Sequence, residues 1–388
     1  MKKQGLFLSF ALTLLVAVSA PAVTIPQSKP ATATQQGLPE KLSATEFARL
    51  IRKFSEEGGE FHSDNLISNE TSYLHIVDKL KQLNAPGGAY IGVGPEQNFT
   101  YIAKTRPRIV FIIDLRRLAV MQHLLYKAIF QLSPSRGEFL SRLLSIPLVK
   151  GKAPAPNASI NELVQYFSST HADDKLFATN LAQIRQMIQK EFQVTFTEQE
   201  QQGLEYVLRS FKEDGLGISY QLRNSFRGMY FPTFKEILTQ TDLNGKQGGF
   251  LTNDDDYNFV RNLQLRNLLI PVTGNFAGTK AFPAVTEYLR KYKLTVNTIY
   301  TSNVEQYLFE YNAFDGFAAN IKKLPLSEQS LFIRSASSRG RHPARQPGFM
   351  FTSLLQHVPV FLKDYAEGRY KTYFDLVSTN YIAGEPKQ

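Results

Sequence analysis

Ala89-Tyr90-Ile91-Gly92-Val93-Gly94-Pro95-Glu96-Gln97-Asn98 and, one helix-length further, Ile109-Val110-Phe111-Ile112-Ile113-Asp114 are the stretches on which the fold turns. Ala89–Gly94 reads as a buried strand, Glu96–Lys104 as a helix, and Ile109–Ile113 as a second buried strand ending at Asp114. Short apolar runs without alternation belong to strands covered on both faces, the condition of parallel strands joined by a crossover helix. The pair therefore predicts a βαβ unit, and the rest of the chain is placed around it.

Downstream, Leu118–Phe130 keeps apolar residues all along a helical pattern, and Phe139–Leu144 adds a turn or two. Pro147–Pro156, with Gly151 and two lysines, breaks the pattern and marks the entrance to an insertion. From Ile160 to Phe211 apolar residues recur at spacings of three and four, as in Leu181, Ile184, Met187, Ile188 and Phe192, which predicts several helices and no strand. Tyr220–Asn253, rich in aromatics, Gly and Asn and carrying the hairpin-turn pair Asn244-Gly245, returns the chain to the main domain. The rhythm then resumes with a strand at Leu268–Val272, a helix at Thr279–Tyr292, a strand at Thr295–Tyr300, a helix beginning over Ser302–Phe309 and a short strand at Leu331–Ile333. Phe349–Val360 and Tyr365–Tyr373 close the chain as mixed or helical elements. Upstream, Ser43 and Glu46 make a capping box ahead of Phe47, Leu50, Ile51 and Phe54, and a second helix is expected over Ser72–Leu83. The expected fold class is α/β: a Rossmann-like, doubly wound, mostly parallel sheet with N-terminal helices and a large helical insertion.

Met1-Lys2-Lys3, an apolar run from Leu6 to Val18 and the small residues Ser19-Ala20-Pro21-Ala22 follow the order of a secretory signal with an A-x-A cleavage site. The run is short for a bilayer span, which ranks cleavage above an uncleaved anchor. The expected organisation is a signal peptide at 1–22, a flexible linker at 23–38, the first half of the Rossmann-like domain with its N-terminal helices at 39–150, the insertion at 151–250, and the second half at 251–388. The protein is expected to be exported, periplasmic or extracellular, with no transmembrane span once the signal is removed. The absence of cysteine excludes a lipobox anchor, disulfides and thiolate metal sites. The net charge of +10 comes from scattered basic residues, with clusters only at Arg106–Arg117 and Arg334–Arg345. No zinc-finger or RNA-binding aromatic motif accompanies them, so no specific nucleic-acid partner is expected.

In a parallel α/β sheet, ligands sit in the crevice at the carboxyl ends of the strands, which makes the residues directly after each strand the informative ones. Gly92 and Gly94 would let a ligand approach the backbone where the next helix opens. Asp114, about twenty residues beyond Gly94 at the end of the next strand, could accept both hydroxyls of a ribose. The third glycine of the dinucleotide fingerprint is replaced by Phe99 or Gln97, depending on where the count starts. Two readings stay open here, a nucleotide-type site and a tight strand-to-helix turn. Glu96 is expected at the helix N-terminus inside the crevice, where the positive helix end would keep it ionised and suit it to amine binding or a base role. The candidate small-molecule site is therefore Gly92, Gly94, Glu96, Gln97, Asp114, Asn275 and Asn303, with no catalytic residue assigned.

The run Tyr90–Tyr101, the segment Asp114-Leu115-Arg116-Arg117, Val272–Lys280 and Ser302–Leu308 resemble an uncharacterised family of bacterial proteins with a Rossmann-like core similar to class I S-adenosylmethionine-dependent methyltransferases. The resemblance covers roughly residues 85–145 and 255–340. It implies a glycine-rich loop after the first strand and an acid after the second, which Gly92, Gly94 and Asp114 resemble, and S-adenosylmethionine as the candidate cofactor.

Other constellations contribute little. The histidines form no H-x-x-x-H or H-E-x-x-H pair, and no G-x-S-x-G elbow occurs. Asp254-Asp255-Asp256 is expected to cap a helix rather than to hold a cation, and no metal site is expected. Ser302 with Glu305 is expected to form a capping box. The function expected is that of an exported, methyltransferase-like enzyme or its non-catalytic descendant, binding a nucleoside-like or amine-bearing molecule. The alternative is an envelope binding or interaction protein that uses the insertion. A free Asp114 carboxylate favours the first; Asp114 locked to Arg116 or Arg117, or an exposed aromatic patch around Tyr220–Phe234, favours the second.

Overall fold

Six strands form one sheet in the computed structural model, among the described residues 37–221, 231–337 and 342–386. The expected signal peptide and most of the linker lie outside these residues. β1 (Ala89–Gly92), β2 (Ile109–Asp114), β3 (Leu269–Thr273), β4 (Val296–Ser302) and β5 (Leu331–Ser337) run parallel, and β6 (Phe351–His357) lies antiparallel beside β5. The order is β3-β2-β1-β4-β5-β6. The fold is thus mixed α/β with a mostly parallel sheet. β1, β2 and β3 are buried along their whole lengths, as their unbroken apolar runs require. From β1 the chain moves outward to β2 and β3, then returns to the other side of β1 as β4. The direction of winding reverses between β1 and β4.

α1 (Ala44–Phe54) starts at Ser43, whose hydroxyl accepts from Glu46 N, and buries Phe47, Leu50, Ile51 and Phe54 against β3. α2 (Val77–Leu83) is shorter than expected, because residues 71–76 form turns. α3 (Gln97–Thr105) connects β1 to β2. Between β2 and β3 come α4 (Arg117–Leu132), α5 (Arg136–Leu144), α6 (Ile160–Ser169), α7 (Asp174–Gln186) with a π-helical end at Met187–Glu191, α8 (Glu198–Asp214), α9 (Phe234–Thr239) and α10 (Asp254–Leu265). Complete capping boxes at Ser135/Glu138, Ser159/Glu162, Thr197/Glu200 and Thr233/Glu236 open four of them. α4 is buried nearly all round because it packs on β3, α8 and α10 at once. Within that packing Lys127 directs Nζ to the Gln264 carbonyl, 4.7 and 4.8 Å from the ring centres of Phe47 and Phe192. Burial depresses its ammonium pKa to about 7. Leu181, Ile184, Leu204 and Phe211 of the inserted helices join the same hydrophobic cluster as the sheet.

Asp254, Asp255 and Asp256 occupy the first turn of α10, but the cap is Asn253, whose side chain accepts from Asp256 N. The three carboxylates pair instead with basic side chains: Asp254 with Arg136, Asp255 with Arg106, and Asp256 with both Lys104 and Arg106. Among the described residues no group of side chains is arranged to hold a metal ion, and no helix is long and apolar enough to cross a membrane.

The remaining elements are α11 (Ala281–Lys291), α12 (Val304–Glu310), α13 (Phe314–Lys322), α14 (Val358–Ala366) and α15 (Tyr373–Ser378). β6 departs from the expected mixed or helical element. Its Leu354-Leu355 pair breaks alternation, and a strand covered on both faces has the same sequence pattern as a short buried helix. Pairing with β5, from Leu331↔His357 to Ser337↔Phe351, decides between them.

Candidate functional site

The turn from β1 into α3 is built around Asn98. Its Nδ2 donates to the carbonyls of Val93 (2.8 Å), Gly94 (3.2 Å) and Pro95 (2.8 Å), and its Oδ1 accepts from the Tyr90 hydroxyl at 3.0 Å. A Cβ at Gly92 would collide with Asn98 Oδ1 and lie 2.7 Å from Tyr90 Cε1. Gly94 has φ +79°, a left-handed conformation that glycine adopts without strain, and His123 Nε2 reaches its carbonyl at 2.9 Å. Both glycines therefore have a reason in the turn itself. Only Gly94 borders open space, where an added Cβ would meet nothing closer than Asn65 Nδ2 at 3.7 Å.

Over the carboxyl ends of the strands runs the segment 55–76, which links α1 to α2 and contains no regular strand or α-helix before α2. Long irregular connections of this kind are commonly functional. Hydrogen bonds fasten it at the ends of β1, β2 and β3 and to α4: Ser68 N to Glu96 Oε1, Gly59 N to Leu115 O, Glu56 N to Thr273 O, and Gln122 Nε2 to Leu66 O. Beneath it opens a cleft of about 980 Å³. Its walls come from this segment (Glu60, Phe61, His62, Ser68, Glu70), the strand ends (Gly94, Asp114, Arg116, Asn275, Tyr300, Ser302, Asn303), α12 (Gln306, Tyr307) and the start of β6 (Phe351).

Of the seven residues expected at the site, Gly94, Asp114, Asn275 and Asn303 line this cleft, whereas Gly92, Glu96 and Gln97 do not. Asp114 is locked to Arg116. Its two oxygens accept from the guanidinium at 3.0 and 2.7 Å, and Oδ1 also accepts Arg116 N at 2.9 Å. Arg117 turns away to Glu200. That geometry leaves Asp114 little acceptor capacity for a ribose and is the arrangement that favours scaffolding at this position. Asn275 accepts Ala277 N on Oδ1 and donates its own N–H to Glu56. Asn303 Oδ1 accepts from the Ser302 hydroxyl at 3.3 Å.

Glu96 is fully buried under the turn, with Oε1 held by Ser68 N and Oε2 without a partner among the described residues. Burial raises its pKa to about 7, overturning the expectation that the helix end keeps it ionised. Desolvation of the carboxylate outweighs the partial charge at the start of a nine-residue helix. Gln97 is likewise buried. Its Nε2 donates to Glu70 (3.0 Å) and lies within 3.3 Å of the Tyr300 and Tyr101 hydroxyls, while Oε1 accepts from Ser68.

Glu70, which sequence reasoning missed, is the carboxylate these groups surround. Tyr300 donates to its Oε1 at 3.1 Å, and the Ser302 hydroxyl reaches the same oxygen. Burial raises its pKa. Ser302 sits at φ +54° after a register shift in β4, so a strained residue aims its hydroxyl at the cleft floor. No local pattern marks Glu70, since it lies in a turn-rich segment far from any strand. The expected Ser302/Glu305 capping box is absent. α12 begins at Asn303 without a side-chain cap, and Glu305 is instead buried against Arg334 (2.8 Å) and the Thr301 hydroxyl (2.9 Å).

Aromatic rings form the outer wall. Phe61 packs on His62 and edge-on to Tyr307, with centroids 4.1 and 5.2 Å away, and burial lowers the pKa of the His62 imidazole. The candidate aromatic patch around Tyr220–Phe234 falls partly outside the described residues. Of its described aromatic residues, Tyr220 and Phe231 line the cleft, with ring centres 5.0 Å apart, and Phe234 is buried in the core.

One family model matches the chain over residues 66–214 and 158–384; it is described as Domain of unknown function (DUF7790). These spans hold the whole sheet and the cleft-lining residues from Ser68 onward. No curated protein matches.

Proposed function

The chain belongs to the DUF7790 family, and from its cleft we propose that it is an exported, Rossmann-like protein binding a nucleoside-like small molecule at the carboxyl ends of its parallel strands. The observation that carries this reading is the position of the cleft. It opens where the winding reverses between β1 and β4, which is where open parallel sheets bind their ligands. The strand order is that of dinucleotide-binding sheets, the antiparallel β6 excepted, and this supports the Rossmann-like assignment. The volume suits a molecule of nucleoside size. Rings from Phe61, Tyr307 and Phe231 offer stacking surface, and Asn275 and Asn303 offer amide groups.

S-adenosylmethionine is the lead ligand, by resemblance of the glycine–acid pattern. A methyltransferase-like enzyme and its non-catalytic descendant both need the same cleft. With Asp114 held by Arg116, recognition of the sugar passes mainly to the amides and to the backbone at Gly94. Export rests on the order of residues 1–22, and it is checked by fractionating a bacterial host that expresses the full chain and sequencing the amino terminus of the product.

The binding test is the melting temperature of the protein with adenosylmethionine, adenosylhomocysteine and NAD. A ligand that binds only the folded state at a hundredfold excess over Kd stabilises it by about 2.7 kcal/mol. Such a rise, reduced in Asn303→Ala and in Asp114→Asn, is the expected result. Asparagine is preferred to alanine at 114 because it keeps the size of the side chain and one oxygen that can still accept from Arg116, although the ion pair is lost with either change. No rise with any of the three ligands would sink the proposal.

A further inference from the structure

We infer that Glu70 is the counter-ion for a positively charged onium group, an ammonium or a sulfonium, of the molecule that occupies the cleft. The inference rests on the cleft being a ligand site and adds the charge of what it takes. Two observations carry it. First, the charges of the described lining do not balance. Glu60, Glu70 and Asp114 supply three carboxylates, and Arg116 is the one Lys or Arg side chain among them. Arg116 is already committed to Asp114 in a two-pronged pair, at 2.7 Å through Nη2. The protein as a whole carries +10, so a carboxylate surplus among the described lining residues runs against the average of the chain.

Second, Glu70 is built as a carboxylate site with neutral partners. It is 2 % exposed, and Tyr300, Ser302 and Gln97 all donate to it. The titratable groups around it are the phenols of Tyr90, Tyr101, Tyr300 and Tyr373, all kept neutral by burial. Among the described residues no cation touches it. A buried carboxylate is costly unless something compensates its charge. The side that remains is the cleft, whose lining includes Tyr300 and Tyr307, residues whose aromatic ring faces attract onium groups.

Choline and its uncharged carbon isostere dimethylbutanol test the charge without using a nucleoside, so that failure of nucleoside binding and failure of this inference remain separate results. Binding is measured by calorimetry and ligand-observed NMR on the folded protein. The expected outcome is that choline binds, the isostere binds at least about tenfold more weakly, and Glu70→Gln loses choline by roughly tenfold or more while Glu287→Gln, a change of an exposed carboxylate on α11 outside the cleft, does not. If Glu70→Gln fails to fold, the Glu60→Gln/His62→Asn double variant, in which neither of these neighbouring groups titrates, is followed between about pH 4 and pH 8 instead. Choline must then tighten as Glu70 deprotonates, and the isostere must stay unchanged. Equal binding of choline and isostere, retention of choline by Glu70→Gln, a flat titration, or no choline binding at tens of millimolar would each overturn the inference.

Discussion

Replacing Gly92 by alanine separates a glycine kept for the turn from a glycine kept for a ligand. The new Cβ would overlap Asn98 Oδ1 and stand 2.7 Å from Tyr90 Cε1. Tyr90 is fully buried in the sheet and has nowhere to go, so Asn98 must leave its place. Its departure removes the donors to three carbonyls and the acceptor of the Tyr90 hydroxyl. Nδ2 has two protons, worth roughly 1 kcal/mol each in net stability, and a buried hydroxyl left unsatisfied costs about 1–3 kcal/mol. Gly92→Ala should therefore destabilise the protein by about 4 kcal/mol, and Asn98→Ala, which deletes the same groups, by a similar amount. In the double variant the space vacated by Asn98 receives the methyl group, and the two costs should not add. The double variant should then cost about 4 kcal/mol, no more than either single change, so the expected coupling is about 4 kcal/mol, read from urea midpoints at constant slope. Additivity within about 0.5 kcal/mol would refute the account. So would a Gly92→Ala protein of unchanged stability that has lost nucleoside binding, and that result would return Gly92 to the ligand.

Two buried ionisable groups bend the pH dependence of stability in opposite senses. Lys127 has its pKa lowered from 10.5 to about 7 by burial, so between these values the unfolded chain binds more protons and stability rises with pH. The rise is on the order of 4 kcal/mol, absent below the folded value, and Lys127→Met should abolish it in unfolding titrations. A variant that keeps the wild-type slope would show that the lysine stays charged between Phe47 and Phe192. Glu96 has its pKa raised from 4.5 to about 7, so its contribution is fully present below 4.5 and is lost as pH climbs through 7. Glu96→Gln should remove about 3 kcal/mol of that decline, and an unchanged profile would mean that the carboxyl is ionised in the fold.

Much of the architecture was legible because it is written in local periodicity. The apolar runs read at 89–94, 109–113 and 268–272 announced strands covered on both faces, observed as β1, β2 and β3, and the stripe Phe47, Leu50, Ile51, Phe54 announced the buried side of α1. Boundaries moved by two residues at Ala281 and Val304, where no side-chain cap fixes the helix start. β6 was not legible, because only β5 beside it distinguishes a doubly covered strand from a short helix.

For the cleft, the sequence by itself determined which segments would gather. The residues that follow parallel strands must meet at one edge of the sheet, and Gly94, Asp114, Asn275 and Asn303 do meet there. Tertiary structure alone decided what each of them is free to do. Whether Asp114 offers its oxygens outward depends on the rotamer of Arg116, and whether Glu96 is charged depends on its burial beneath the turn and on the bond from Ser68 N. Glu70 reaches the cleft floor because the segment 55–76 crosses the strand ends and is pinned there by bonds to the loops after β1, β2 and β3. Hydrophobic periodicity records which face of an element is dry, but polar partnership and desolvation depend on groups distant in the chain, and these arise only when the chain has folded.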